Sequence, residues 1–214
     1  MGMNRRTRGR GADHERRRLE IVDAVLSVVE ENGLAAVSQS SVAARADVSP
    51  GRVQHYFPAR HELIEAAFDR ANALSAARIA ERSGSETEPR RMLEVVLTEL
   101  IPYDTFTRTH LRVRQSFTAL ALSEEAIASR MRCDYERLYE ELADLLRRDR
   151  ESGRVPAETD PRDEAVSLVA LAEGFAYHVL LDLIDPAVPR ARVLGAIADL
   201  YGSGEGRATT DPEG

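Results

Sequence analysis

The stretch from Ser38 to Leu63 holds the residues best suited to chemistry at a surface. Val53 and Phe57 lie four residues apart, so on a helix both face inward, and the outer side presents Pro50, Gly51, Arg52, Gln54, His55 and Tyr56. These are small or hydrogen-bonding residues, of the kind that can approach DNA closely. Upstream, Val42, Ala43 and Ala46 are small enough for two helices to cross at short range, and Val48 is placed to plug the turn between them. A short helix, a three-residue turn and a second short helix, packed on a preceding amphipathic helix, describe a helix-turn-helix.

Elsewhere the chemistry is thinner. His55 and His61 stand six residues apart on separate helices with no Cys or carboxylate partner, which is poor ligand spacing, so neither a metal nor a cofactor is expected. Met92, Phe106, Phe117, Met131, Tyr135, Phe175 and His178 could line a small-molecule pocket, although such residues at helical spacing also make ordinary core. Arg108, Arg112 and Arg114 are either a handle for an anion or a solvated face. The chain has no phosphate-cradling Gly-rich loop, no Gly-x-Ser-x-Gly elbow and no His-Glu-x-x-His, so no catalytic residue is assigned and enzymatic activity is not expected.

The elements that must hold these residues read as helices throughout. Between Ala12 and Tyr201 glycines are few and several of them fall where an apolar 3.6-residue period stops, and no stretch alternates as a strand would. The pattern predicts an all-α chain of about nine helices. They lie near 14–32, 38–46, 49–57, 60–82, 88–101, 107–122, 124–151, 162–184 and 189–201. Ser38 and Ser49 are placed as N-caps, and Pro50 occupies a first helical position where its missing N–H costs nothing. The expected organisation is a disordered basic arm (1–13), a helix-turn-helix domain (14–60), a helical ligand-binding and dimerisation domain (61–201) and a disordered tail (202–214).

Charge agrees with that division. The chain of 214 residues carries a net charge of -7, and every one of its 29 basic residues is Arg. Residues 1–62 hold 10 Arg against 8 acids and the remainder 19 against 28, so the helix-turn-helix end is cationic while the rest is acidic. A polyanion can bind at the basic end. No apolar run approaches the roughly 18–20 residues that cross a bilayer, so no membrane association is expected. The single Cys133 excludes an intrachain disulfide framework, and the expected compartment is the cytoplasm.

The segment Val48-Ser49-Pro50-Gly51-Arg52-Val53-Gln54-His55-Tyr56-Phe57, with Arg60 and Leu63 beyond it, resembles the DNA-binding signature of the TetR family of transcriptional regulators. Asp47 stands where that family usually has Gly, and Arg60 where it usually has Lys. Leu100 to Asp104, Thr159-Asp160-Pro161 and Ala172 to Phe175 resemble the C-terminal domain of BetI-type members. The resemblance implies a homodimer that binds a double-stranded, pseudo-palindromic operator and is released from it by an unidentified small-molecule effector. It places Ser38, Gln39 and Ser40 at phosphates, Arg52 and Gln54 at base edges, and His55, Tyr56 and Arg60 on the backbone. The alternative is a constitutive, architectural DNA-binding protein without a ligand. The broad apolar surfaces of the last two helices predict a four-helix dimer interface through Leu168, Ala172, Phe175, Val179, Val193, Ile197 and Leu200.

Overall fold

The computed structural model describes residues 5–85 and 87–205, with side chains from Asp13 to Gly202 apart from residue 86. Among the described residues it is all-α. The helices are α1 (Arg5–Asn32), α2 (Gln39–Arg45), α3 (Pro50–Tyr56), α4 (Arg60–Ser83), α5 (Pro89–Glu99), α6 (Thr105–Ala121), α7 (Glu125–Glu151), α8 (Pro161–Leu180) and α9 (Ala187–Glu205). A single 3-10 turn, Leu34–Ala36, was not legible in the apolar pattern. The expected arm and tail fall partly outside the described residues. Where they are described, helical backbone reaches back to Arg5 and forward to Glu205, so α1 begins nine residues before the predicted His14.

The chain divides into two units. One comprises the residues up to Leu74 together with Arg112–Leu120, and the other Ser75–Leu111 together with the residues from Ala121 onward. The expected boundary at residue 60 is therefore displaced into the middle of α4. Two contacts explain why the first unit keeps the start of α4. Arg70 on α4 forks onto Asp23 of α1, its Nε and Nη2 donating at 2.7 and 3.1 Å to the two carboxylate oxygens. Phe68 of α4 also stacks on Phe117 of α6 at 4.1 Å between ring centroids. Buried Ile21, Val22, Val25, Val29, Val42, Val53, Phe57, Leu63 and Ile64 complete this unit's apolar interior.

The second unit is a helical bundle. Its core gathers Leu93, Leu97 and Ile101 at α5 and beyond, Leu142 and Leu146 of α7, Leu168, Val169 and Ala172 of α8, and Val193 and Ile197 of α9. Helix α8 packs against α5, α7 and α9 together, which is how one chain covers so broad an apolar face. At the end of α7, Gly153 turns with φ 77°, and the N–H groups of Arg154 and Val155 return to the Asp149 carbonyl at 2.8 and 3.3 Å. The Asp149 carboxylate is itself buried, and accepts from Arg154 and from the Tyr201 hydroxyl of α9. Burial and this carboxylate push the Tyr201 hydroxyl well above the usual phenol range.

Asp104 opens α6 by accepting the Thr107 N–H at 2.8 Å. Burial alone would raise its carboxyl, but the Thr107 N–H and the Arg78 guanidinium outweigh that and hold it below the ordinary range. Among the described residues no helix is long and apolar enough to cross a membrane.

Candidate nucleic-acid interface

Local sequence chemistry builds the α2–turn–α3 motif. The Ser38 hydroxyl accepts the Ser41 N–H at 3.1 Å while the Ser41 hydroxyl accepts the Ser38 N–H at 2.9 Å, a reciprocal cap that fixes where α2 starts. Asp47 takes the left-handed conformation, φ 52°, at the position where glycine would be cheapest, and the Val48 N–H then closes back onto the Ala43 carbonyl at 3.0 Å. Ser49 caps α3 by accepting the Arg52 N–H at 3.3 Å, with Pro50 in the first turn. Val53 and Phe57 are 0 % and 2 % exposed, so the inner face of α3 is anchored as expected.

The outer face of α3 is correspondingly open. Pro50, Gly51, Arg52, Gln54 and His55 are exposed, and Tyr56 is half-buried. Among the described residues the Arg52 guanidinium has no partner. Tyr56 is held by two rings, His14 of α1 at 4.7 Å and His55 at 5.4 Å. Ser38 and Ser40 are exposed at the start of α2.

Two expected phosphate contacts are employed differently. Gln39 turns inward, and its Nε2 donates to the Phe57 carbonyl at 2.6 Å, so it ties the start of α2 to the end of α3. Arg60 donates from Nε to the Val37 carbonyl and from Nη2 to the Leu34 carbonyl, both at 2.9 Å. It therefore clamps the 3-10 turn that precedes α2. These partners lie 23 and 26 residues away in sequence, which is why spacing alone did not reveal them.

Sequence reasoning also missed a contribution from α1. An open cleft of about 680 Å³ is lined by Asp13, His14, Arg16 and Arg17 of α1 and by Ser49, Arg52, His55 and Tyr56 on the α3 side. The available signal was the cluster Arg16, Arg17 and Arg18 at the start of the predicted 14–32 helix, directly after the basic arm.

The candidate pocket residues fall in both units. Phe117 is fully buried and belongs to the first unit, stacked on Phe68. Met92 and Tyr135 pack against the core of the second unit, Met131 is buried, and Phe106 lies under the Arg78 guanidinium at 5.1 Å. His178 is exposed, edge-on to half-buried Phe175. The Tyr135 hydroxyl donates to the Glu173 carboxylate, at 2.9 and 3.0 Å from its two oxygens.

The expected dimer residues also need correction. Leu168, Ala172, Val179, Val193 and Ile197 are 0–2 % exposed within a single chain, so they are its own core, while Phe175 and Leu200 remain half-buried. The outward residues of α8 include Val166, Ala170, Gly174 and Tyr177, spaced four, four and three apart, beside exposed Ser167 and His178, and those of α9 include Val188 and Ala191.

Comparison with known proteins agrees with this architecture. Residues 21–67 match the model of the bacterial regulatory proteins of the tetR family, and residues 89–202 match that of the BetI-type transcriptional repressor C-terminal region. The HTH-type transcriptional regulator PksA of Bacillus subtilis (strain 168) is 28 % identical over 170 residues, covering 79 % of this chain and 82 % of the relative. A solved TetR-family transcriptional regulator from Rhodococcus sp. is 27 % identical, with a TM-score of 0.73 over 86 % of this chain and 98 % of that one. A transcriptional regulator from Saccharomonospora viridis, solved in complex with choline, shares the fold with a TM-score of 0.76 at 20 % identity, covering 85 % and 95 % of the two chains.

Proposed function

As this chain belongs to the tetR family of bacterial regulatory proteins, with a BetI-type C-terminal region, we propose that it is a cytoplasmic homodimer that represses transcription from a pseudo-palindromic operator until a small molecule releases it. The family and the relatives are transcriptional regulators, not enzymes. The observation that carries the reading is the outer face of α3, where Arg52, Gln54 and His55 stand exposed on a helix anchored by buried Val53 and Phe57.

Arg52 and Gln54 are assigned to base edges, because Arg matches guanine O6 and N7 and Gln matches adenine N6 and N7. Selection of duplexes from a random pool tests this directly, and a two-fold-related motif is the expected result. Arg52→Ala is expected to cost roughly 1–3 kcal/mol on the selected duplex and to relax preference at one position per half-site. An equal loss on unrelated DNA would remove Arg52 from base reading. Arg60→Ala is not the clean phosphate control that its position suggests, since it also frees two carbonyls next to α2.

The dimer surface is assigned to the outward sides of α8 and α9. Gly174 supports this, because a Cβ built there meets nothing within 4 Å, so its own chain gives no reason for a glycine in mid-helix. A helix interior ordinarily disfavours glycine by roughly 0.5–1 kcal/mol relative to alanine, a cost that close approach by a partner helix can justify.

Ligand release is a linked equilibrium: an effector that favours the conformation with displaced recognition helices weakens operator binding by the same coupling factor. Helix α4 is continuous from the DNA-reading unit into the second, so its tilt is the element on which such a ligand would act. The choline bound by the S. viridis protein belongs to that protein, and with no Trp in this chain a quaternary ammonium is not assigned here. A metabolite panel is expected to yield a compound that both raises the melting temperature and releases the operator. If no compound does both, the ligand-free architectural alternative takes precedence.

A further inference from the structure

The cleft between the N-terminal half of α1 and the α3 side of the motif differs in kind from a small-molecule pocket. Small-molecule sites are predominantly apolar with a few placed polar groups. This cleft is walled by three arginines, two histidines, a serine, a tyrosine and one carboxylate. The carboxylate, Asp13, is already engaged by Arg16 at 3.1 Å, and Arg17 rests on Glu20 at 2.7 Å. Both pairs are exposed and local, the class of ion pair that contributes little and is easily exchanged for a stronger anion. On the opposite wall Arg52 is unpaired among the described residues. The ring contact of His14 with Tyr56 at 4.7 Å spans the cleft and fixes its two walls to each other.

We propose that this cleft seats the sugar–phosphate backbone of the DNA strand beside the bases that α3 reads, with His14 and Arg17 of α1 as phosphate contacts. The inference rests on the DNA-binding reading above and extends the interface to a helix outside the helix-turn-helix. Its ligand is a phosphodiester chain because the cleft is open, lined from both α1 and the α3 side, and cationic on a chain whose overall charge is -7. Contacts of this type position the protein without reading sequence.

The test uses the full chain and the duplex recovered by selection, with affinities measured across a salt series. Arg17→Gln and His14→Gln are each expected to weaken binding roughly three- to tenfold, by similar factors on the selected and on an unrelated duplex. Arg17→Gln should also lower the slope of log affinity against log salt by about one, for the charged phosphate contact removed. Replacing single phosphates with neutral methylphosphonates should locate the contact, since at that position wild type and Arg17→Gln bind alike. The Arg17 side chain is 41 % exposed and its ion pair with Glu20 is local, so an unchanged melting curve by circular dichroism verifies that the variant is folded. Unchanged affinity and salt slope in both variants, with wild-type operator binding intact, would overturn the proposal alone. Failure of the wild-type protein to bind any duplex would overturn the regulator reading and this inference with it.

Discussion

Glu99→Ala should destabilise the second unit by about 3–5 kcal/mol, the range found when one partner of a buried ion pair is removed. Glu99 lies at the end of α5 with its side chain wholly buried, and it faces Arg78 and Arg82 of α4. The Tyr103 hydroxyl donates to it at 2.9 Å. Burial and this carboxylate raise the Tyr103 hydroxyl above its ordinary range. Truncation would leave two guanidiniums that are only 27 % and 32 % exposed, together with a half-buried phenol that loses its acceptor. Glu99→Gln keeps the shape and one acceptor, so it should fall between wild type and Glu99→Ala. Urea denaturation followed by circular dichroism measures both. A loss below about 1 kcal/mol for the alanine variant would mean that water and Asp104, which already binds Arg78, replace the lost carboxylate.

The contrast between this cluster and the helix-turn-helix explains what the sequence could and could not reveal. Ser38, Ser49 and Pro50 act within three residues of where they stand, so their roles follow from position along the chain. The buried pair Val53 and Phe57 is likewise one helical turn, and Asp47 adopts the positive φ that its place in the turn demands. Glu99, by contrast, reads as an ordinary polar residue at a helix end. Its partners Arg82 and Arg78 lie 17 and 21 positions away, on a helix whose own pattern says nothing about α5.

Helix α8 shows the same limit from the apolar side. Val166, Leu168, Val169, Leu171, Ala172, Phe175 and Val179 cover more than one face, and the sequence alone assigned the surplus to a partner subunit. Three helices of the same chain cover most of it instead. Periodicity gives the width of an apolar face but not the number of helices that will cover it. The assignment of Phe117 to the first unit is illegible for a related reason, since α6 is long enough to contribute residues to both units and only packing decides which.

That correction reshapes the experiment on assembly. Ala172→Arg would force a guanidinium into the core of a single chain, so its expected outcome is unfolding, which says nothing about dimers. Gly174→Arg separates the two effects. A side chain at Gly174 meets nothing within 4 Å in its own chain, and arginine is a better helix former than glycine, so a protein that used no partner here would keep or gain stability. Against the same face of a second copy, two arginines related by a two-fold axis would oppose like charges where close helix packing is needed. Sedimentation should therefore find Gly174→Arg as a folded monomer. Operator affinity should then fall by about 10²–10⁴, the advantage that linking two half-site readers supplies. Retention of the dimer by Gly174→Arg would move the interface off the outward face of α8. A monomer that still bound the operator at wild-type strength would instead break the link between dimerisation and half-site reading.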